Sequence, residues 1–326
     1  MQRIFHAALC LATRLSAALC SSAAAAQAYP AKIIRIIVPW APGGSTDVLA
    51  RLIGAKMQEN WGQPALVENK PGASGNIGSD LVAKAAPDGY TLLVGSVSTH
   101  AMNPFLMSAM PFRGVDDFAS VAVAAYVTNV LVAHPTVPAR SVKDLIDLAK
   151  GHPGKIAYAS AGNGSTNHLS AELFRRMTGT DLLYVPCKGG GPATTALLGG
   201  QVGIFFTGLG NVWDHVKAGK LNLIAVTESR RSKLLPGLPT VAETLPGYEM
   251  AVWYGVWAPA GTPADIVNKF NAEVNRIMVL PDIQQRLVAM GAEHVPLSTL
   301  ETVKLLRGDY ERWGRIIREM GIRADG

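Results

Sequence analysis

Two segments far apart in the sequence combine glycines, hydroxyl side chains and the start of a helix, a combination suited to holding an anion. The first is Val38 to Asp47 (VPWAPGGSTD) and the second is Tyr158 to His168 (YASAGNGSTNH). Each ends a short strand pattern and opens a helix pattern, so each should lie at the carboxyl end of a sheet, where α/β proteins bind ligands. Glycine lets the backbone approach a ligand closely, and a helix start favours an anion by about 0.3 to 1 kcal/mol. The two loops would form a clamp if each came from one of two facing lobes.

Side chains in the first loop offer contacts of their own. Ser45 and Thr46 supply hydroxyls, and Trp40 could form one wall of a pocket. Asp47 is expected to cap the helix more often than to touch a ligand. A tight turn followed by a helix cap explains the same residues without any ligand. Two smaller loops of the same kind lie at 72–78 (GASGNIG) and 188–193 (KGGGPA). Four such glycine-rich loops are more than the turns of one chain usually require.

Motifs of several enzyme classes are absent from the sequence. It contains no GxxxxGK[ST], GxSxG, HExxH or CxxC, and its glycine spacing does not fit GxGxxG. His168 could act as a general base, although a neutral histidine beside a ligand loop more often donates a hydrogen bond or stands behind the contact residues. Cys187 is expected to be a small buried apolar side chain rather than a reactive thiol. We expect no cofactor and no metal.

Strand and helix patterns alternate along the chain. Strands are predicted at 33–38, 65–68, 90–95, 156–160, 182–186, 203–206 and 221–227, and helices at 48–61, 77–86, 141–150, 167–177, 192–198 and 264–278. A capping box, Ser298 to Glu301, opens a long terminal helix. This order predicts an α/β architecture with largely parallel sheets covered on both faces.

Length and composition exclude several classes of protein. The chain has 326 residues, of which 48% are hydrophobic and 17% charged, so it is too apolar for disorder and long enough for two domains. The formal net charge is +6, from 30 basic and 24 acidic residues. No Lys/Arg-rich run of the nucleic-acid-binding type is present, and no nucleic-acid partner is expected.

Residues 1–28 have the pattern of a secretory signal peptide. They contain Arg3 and Arg14, no acidic residue, an apolar middle and a small-residue end (AAAAQA), which predicts cleavage near Ala26 to Ala28. Removal leaves about 298 residues and a net charge of +4. Arg14 interrupts the apolar stretch, which argues against a membrane span. Cys10 and Cys20 fall in this segment, and Leu19 before Cys20 argues against a lipid anchor, so the mature chain keeps only Cys187 and no internal disulfide.

Motifs along nearly the whole mature chain resemble those of the Bug receptor family, the exported binding proteins of tripartite tricarboxylate transporters. The motifs are IVPWAPGGSTD, VENKPGASGNIG and AAPDGYTLL within 30–95, AGNGSTNHLSAELF at 161–174, KGGGPA at 188–193, LLPGLPTVAE at 234–243 and WAPAGTP at 257–263. The resemblance implies a type II periplasmic-binding-protein fold: two α/β lobes that close over a small carboxylate and are joined by two hinge-crossing strands. It places one lobe at 29–127 and 253–326 and the other at 128–252, with crossings near 127–132 and 250–256.

The resemblance also implies a function. Such receptors are not enzymes; they deliver a small organic carboxylate to the integral membrane permease subunits of a transporter, and this one is expected to be a periplasmic monomer. The carboxylate should lie against the two loops identified above, often through bound water. The expected ligand-binding residues are Trp40, Gly43, Gly44, Ser45, Thr46, Asp47, Ser74, Gly75, Ser98, Gly162, Gly164, Ser165, Thr166, His168 and Thr207.

Departures from the family pattern concern ligand specificity. The position after Pro186, often aromatic in relatives, is Cys187, and the usual GQVD appears as GQVG at 200–203. A buried ammonium group needs an anionic partner, so the missing carboxylates favour an uncharged or aromatic carboxylate over an amino acid. Two alternatives stay open: an exported hydrolase or lyase with His168 as its base, and a receptor that presents its ligand to a sensor protein.

Overall fold

The computed structural model describes residues 29–321 and Arg323. The expected signal peptide and the cysteines at 10 and 20 lie outside these described residues. From residue 33 to the C-terminus the chain forms one compact unit, and this unit contains two sheets. We call the six-stranded sheet with its helices the first lobe, and the five-stranded sheet with its helices the second lobe.

The sheet of the first lobe has the strand order β11-β4-β10-β3-β1-β2. Its strands are β1 (Ile34–Val38), β2 (Ala65–Asn69), β3 (Thr91–Ser96), β4 (Phe118–Val127), β10 (Val252–Pro259) and β11 (Ala292–Glu293). β1 pairs in parallel with β2 and β3, whereas β10 is antiparallel to β3 and β4, and β11 is antiparallel to β4.

The sheet of the second lobe has the order β7-β6-β8-β5-β9. Its strands are β5 (Asn129–Ala133), β6 (Ala157–Ser160), β7 (Leu183–Pro186), β8 (Ile204–Gly208) and β9 (Asn222–Val226). β6 is parallel to β7 and β8, and β5 runs antiparallel to β8 and β9. Most strands of each sheet therefore run in one direction, as predicted. The exceptions are β5, β10 and β11; β5 and β10 lie next to the passages between lobes and enter their sheets in the opposite direction.

The chain passes between the sheets at two places. β4 ends at Val127 and β5 begins at Asn129, so the first passage is at Thr128, whose N–H donates to the carbonyl of Gly291 at 2.8 Å. The second passage follows β9 and enters β10 at Val252. There the N–H of Met250 donates to the carbonyl of Thr227 at 2.8 Å. The N–H of Thr227 in turn donates to the carbonyl of Asn129 at 2.9 Å, so backbone hydrogen bonds tie the two passages into a hinge.

Helices cover the sheets. They are α1 (Ser45–Trp61), α2 (Asn76–Ala83), α3 (Asn103–Leu106), α4 (Val142–Gly151), α5 (Thr166–Thr178), α6 (Gly190–Leu198), α7 (Trp213–Lys217), α8 (Val241–Thr244), α9 (Ala264–Met278), α10 (Pro281–Ala289) and α11 (Thr299–Met320). The predicted capping box is confirmed: the Ser298 hydroxyl accepts from the N–H of Glu301, whose carboxylate accepts from the N–H of Ser298. No described helix is both long and apolar enough to cross a membrane.

Apolar packing continues through the hinge. One cluster of buried side chains includes Leu93 and Trp257 of the first lobe together with Leu131 and Phe206 of the second. A separate cluster around Val130 and Phe205 lies on the other face of the second sheet. These cores hold the strands rigidly, and the loops at the strand ends are positioned by them.

Candidate functional site

A small cavity of about 40 Å³ lies where loops from the strand ends of both lobes meet. Hydroxyl, amide and backbone groups dominate its wall, and none of the described residues that line it carries a charge. The lining residues are Trp40, Ala41, Gly44, Ser45, Thr46, Ser96, Ala161, Ser165, Thr166, Asn167, Gly190, Asn211 and Tyr254.

The start of α1 forms one side of the cavity. Gly44 is the N-cap residue and provides no side-chain cap, so the first N–H groups of α1 have no partner within the helix. The helix begins three residues earlier than the predicted helix at 48–61, which brings Ser45 and Thr46 into its first turn. Both side chains are almost fully buried at the cavity wall.

Asp47 positions this loop from behind. Its carboxylate accepts hydrogen bonds from the N–H of Gly43 at 3.1 Å, from Arg51 at 2.9 and 3.1 Å and from Asn69 at 2.9 Å. Burial alone would raise the pKa of Asp47, but these hydrogen bonds outweigh burial and the pKa is lowered. Asn69 also donates to the carbonyl of Trp40 at 3.0 Å. One carboxylate thus fixes both ends of the turn, and Asp47, a member of the expected ligand-binding set, is not among the residues that line the cavity.

The start of α5 forms the opposite side. The Ser165 hydroxyl caps the helix by accepting from the N–H of His168 at 3.3 Å. The His168 ring is buried, and its Nδ1 accepts from the N–H of Gly164 at 3.1 Å. Burial lowers the pKa of His168 to about 4, so the imidazole is neutral at neutral pH. Since Nδ1 is occupied and the ring does not line the cavity, His168 braces the glycine loop and is not placed as a base beside a ligand.

A third helix start reaches the cavity. α6 begins at Gly190, which lines the cavity, and its N-cap residue Gly189 provides no side-chain cap. Gly189 has a φ of 124°, and a Cβ there would lie 3.1 Å from the Cβ of Ala41 in the facing lobe. This loop was noted in the sequence as glycine-rich, but Gly190 was not among the expected contact residues.

Three further cavity residues were missed by the sequence analysis. The side chain of Tyr254 on β10 lies against Ser45 and Thr46; burial raises the pKa of Tyr254, and the contact with these hydroxyls only partly offsets this effect. Asn211, after β8, donates to the Thr207 hydroxyl at 3.0 Å and accepts from the Ser45 hydroxyl at 3.5 Å. Ser96, the last residue of β3, is hydrogen-bonded to Ser98 at 2.7 Å.

A groove of about 690 Å³ adjoins the cavity and shares Trp40, Ala41 and Ala161 with it. Its other lining residues are Pro71, Gly72, Ala73, Ser74, Gly162, Asn163, Pro186, Cys187 and Lys188. Cys187 is less buried than expected: its side chain packs against the Val130 cluster and also lines the groove. Burial nevertheless raises the pKa of its thiol, which is therefore protonated at neutral pH.

The structure brings together only part of the expected set. Trp40, Gly44, Ser45, Thr46, Ser165 and Thr166 line the cavity, and Ser74 and Gly162 line the groove. Gly43 lines a separate opening on the other side of Ser45. The remaining residues stand behind these surfaces: Asp47, Gly164 and His168 brace loops, Ser98 and Thr207 hold Ser96 and Asn211, and a Cβ at Gly75 would lie 3.1 Å from the Trp40 ring.

This arrangement suits an anion that is recognised by dipoles rather than by an opposite charge. Each helix start carries about half a positive elementary charge, and three of them surround the cavity. The hydroxyl and amide groups can donate further hydrogen bonds. Within residues 29–321, no group of three or more His, Cys, Asp or Glu side chains could hold a metal ion.

Two α/β lobes that meet over a small polar cavity define a two-lobed solute-binding protein. The chain belongs to the tripartite tricarboxylate transporter receptor family, whose model matches residues 49–322. It is 38% identical to Protein BugT of Bordetella pertussis over 298 residues, which covers 91% of each chain. The family resemblance drawn from the motifs is thereby confirmed.

Solved structures give the same result. An R. palustris protein solved with adipate superposes with a TM-score of 0.86 at 37% identity, over 90% of this chain and 99% of that one. MatC of Rhodopseudomonas palustris, solved with bound malate, superposes with a TM-score of 0.84 at 34% identity, over 89% of this chain and all of that one. The predicted two-lobed periplasmic-binding-protein fold is confirmed.

Proposed function

We propose that this protein is a solute receptor that holds one organic carboxylate between its lobes and delivers it to a tripartite tricarboxylate-type membrane transporter. One observation carries the proposal: the starts of α1, α5 and α6, at Ser45, Thr166 and Gly190, converge on one cavity, and none of the described residues that line it is charged. Helix starts from both lobes contribute, so a bound anion stabilises the closed arrangement of the lobes.

Two relatives support the chemical class of the ligand. The structures that contain adipate and malate share this fold over about nine-tenths of the chain, and both molecules are carboxylates. The hydroxyl-rich cavity of this chain offers donors to a carboxylate and no carboxylate of its own to hold an ammonium group. An acid without an amino group therefore fits the cavity better than an amino acid does.

The proposed contact residues follow from the geometry. We assign the carboxylate to the backbone at Gly44, Thr166 and Gly190 and to the side chains of Ser45, Thr46, Ser96, Asn167, Asn211 and Tyr254. The other residues of the expected set support these contacts. On this assignment the receptor binds its ligand and does not transform it.

Location and partners complete the proposal. Residues 1–28 direct export to the periplasm and are cleaved near Ala26 to Ala28, and the mature chain is a monomer that docks on the permease subunits. We place the first lobe at 29–127 and 253–326 and the second at 128–252, on either side of the hinge.

Binding is tested with the mature protein purified without added acid. Native mass spectrometry identifies any acid carried through purification, and thermal-shift measurements screen a panel of mono-, di- and tricarboxylic and aromatic acids with the matching amines as controls. We expect acids to raise Tm, amines to leave it unchanged and bound acid to be recovered chemically intact. A flat response to every acid would overturn the proposal, and recovery of a converted product would favour the hydrolase or lyase alternative.

A further inference from the structure

The cavity is too small for a whole organic acid. A water-sized group occupies roughly 10 to 15 Å³ of such space, so about 40 Å³ holds about three of them, the size of one carboxylate group. The rest of a ligand must therefore extend into the adjoining space. Two neighbouring spaces are open to it: the groove lined by Trp40, and a smaller opening lined by Gly43 and Met290.

The polar contacts favour the groove. On the side of the smaller opening, the side chains of Ser45 and Asn211 line both spaces and meet across the boundary between them. On the groove side the shared residues are Trp40, Ala41 and Ala161, which offer no side-chain hydrogen-bonding group except the indole N–H. A ligand body can therefore pass towards the groove without breaking a bond between the lobes.

The walls of the groove are suited to an apolar body. Apart from Trp40 they include Pro71, Ala73, Ala161 and Pro186. The Trp40 ring is held in place because Asn69 donates to the Trp40 carbonyl at 3.0 Å and Gly75 packs close to the ring. A fixed aromatic wall favours ligands with flat or extended hydrocarbon bodies.

The charge of the groove is one-sided. Lys188 is the only charged residue that lines it, and this exposed side chain has no ion-pair partner in the part of the chain that the structure describes. The described residues place no carboxylate in the groove wall. Lys188 would therefore stabilise a negatively charged ligand group at this end, whereas a positively charged group would find no carboxylate to pair with.

We propose that the groove is the subsite for the ligand body, and that the ligand is a diacid whose carboxylates are separated by an apolar body. One carboxylate occupies the cavity, the body packs on Trp40 and the second carboxylate reaches Lys188. This inference rests on the proposed carboxylate-receptor function and adds the selecting residues. Short hydroxy acids leave the groove empty, and monoacids with the same body leave Lys188 unused.

Calorimetry on the mature protein tests both parts with matched probes: benzoate against terephthalate, hexanoate against adipate, and malate as the short acid. We expect each diacid to bind about threefold to fivefold more tightly than its monoacid, as for an exposed ion pair. Lys188→Met should abolish this difference and leave the monoacids unchanged. Lys220→Met, at an exposed lysine outside the groove, is the control and should change neither.

Two further variants test the body subsite. Trp40→Ala should raise the Kd of terephthalate and adipate more than tenfold and the Kd of malate less than threefold. Cys187→Phe places a larger side chain in the groove from a partly exposed position, where it should disturb the core little. It should likewise weaken binding of the long acids more than binding of malate. Equal losses for short and long acids, or tightest binding by malate, would overturn the groove assignment while leaving the receptor function intact. Absence of binding by every acid would overturn the receptor function itself.

Discussion

The Ser45 hydroxyl donates a hydrogen bond to Oδ1 of Asn211 across the cleft, at 3.5 Å. Ser45 begins α1 in the first lobe, and Asn211 follows β8 in the second. Asn211 is oriented by a second hydrogen bond, from its Nδ2 to the Thr207 hydroxyl at 3.0 Å. The first contact is at the long limit for a hydrogen bond between these groups and is therefore weak. Alone it contributes little to holding the lobes together at the cavity, and we expect a bound ligand to supply the main contacts across the cleft.

Removing two hydroxyls from the cavity should weaken ligand binding. We expect Ser45→Ala combined with Thr46→Ala to raise the Kd about 5- to 150-fold, since each hydroxyl contact contributes about 0.5 to 1.5 kcal/mol. Calorimetry with a bound acid measures the change. Ser229→Ala removes an exposed hydroxyl outside the cavity and should leave the Kd unchanged. Unchanged affinity in the double variant would remove these hydroxyls from the proposed contacts.

Asp47 should affect stability as well as binding. Asp47→Ala leaves Arg51, Asn69 and the N–H of Gly43 without their shared acceptor. We expect the free energy of unfolding, measured with urea, to fall by about 1 to 3 kcal/mol. Binding should weaken because the α1 start is displaced. Wild-type stability combined with lost affinity would instead indicate that Asp47 touches the ligand.

Glu228 should make stability depend on pH. It lies at the hinge, where its Oε1 accepts from the N–H of Asn129 at 2.9 Å and its buried Oε2 has no hydrogen-bond partner among the described residues. Burial raises the pKa of Glu228 to about 7 from its usual 4.5, and Glu293 adds to the effect. The native state therefore holds a proton that the unfolded chain has lost, and stability falls as pH rises from about 5 to 8.

Glu228→Gln tests this directly. The amide resembles the protonated acid, so we expect a flatter profile of unfolding free energy against pH, with the variant more stable than wild type at pH 8 by up to about 3 kcal/mol. Glu311→Gln, at an exposed site, should keep the wild-type slope. If the two variants show the same slope, Glu228 does not titrate in this window.

Binding of a monoacid should depend little on salt. Within residues 29–321, no charged residue lines the cavity, and screening acts weakly on buried dipoles. We expect the Kd of benzoate to change less than threefold between low and high ionic strength. The tighter binding of a diacid than of its monoacid, which we attribute to Lys188, should become less pronounced as salt is added. Parallel calorimetry at several NaCl concentrations measures both. A steep loss for benzoate would mean that a charged side chain contributes to the site.

The strand-loop-helix pattern predicts much of the fold and the site for a physical reason. In such a unit the loop must lie at the carboxyl end of the strand, so the loops at Gly44 and Ser165 could be placed on the binding side. The direction of β10 and β5 could not be predicted, because an apolar run is the same for a parallel and an antiparallel strand. It is set by the passage of the chain between the lobes.

The missed residues have no motif of their own. Tyr254 lies within a strand, and Asn211 follows a strand without a long helix after it, so only the folded chain shows that they reach the cavity. Ser96 and Ser98 show how closely a contact residue can be located from the sequence. Ser98 was expected to bind ligand, but the hydrogen-bonded residue two positions earlier lines the cavity. A glycine loop can be located from sequence, whereas the direction of each side chain around it cannot.

Recognition by helix starts divides the binding surface into a part that mutation cannot easily change and a part that it can. Most substitutions alter side chains and leave the N–H groups at Ser45 and Thr166 in place. The groove around Trp40, Cys187 and Lys188 consists of replaceable side chains. A receptor of this design can acquire a new ligand by a few substitutions in the groove while retaining its hold on the acid group, so duplicated copies could diverge in specificity without passing through a form that binds nothing.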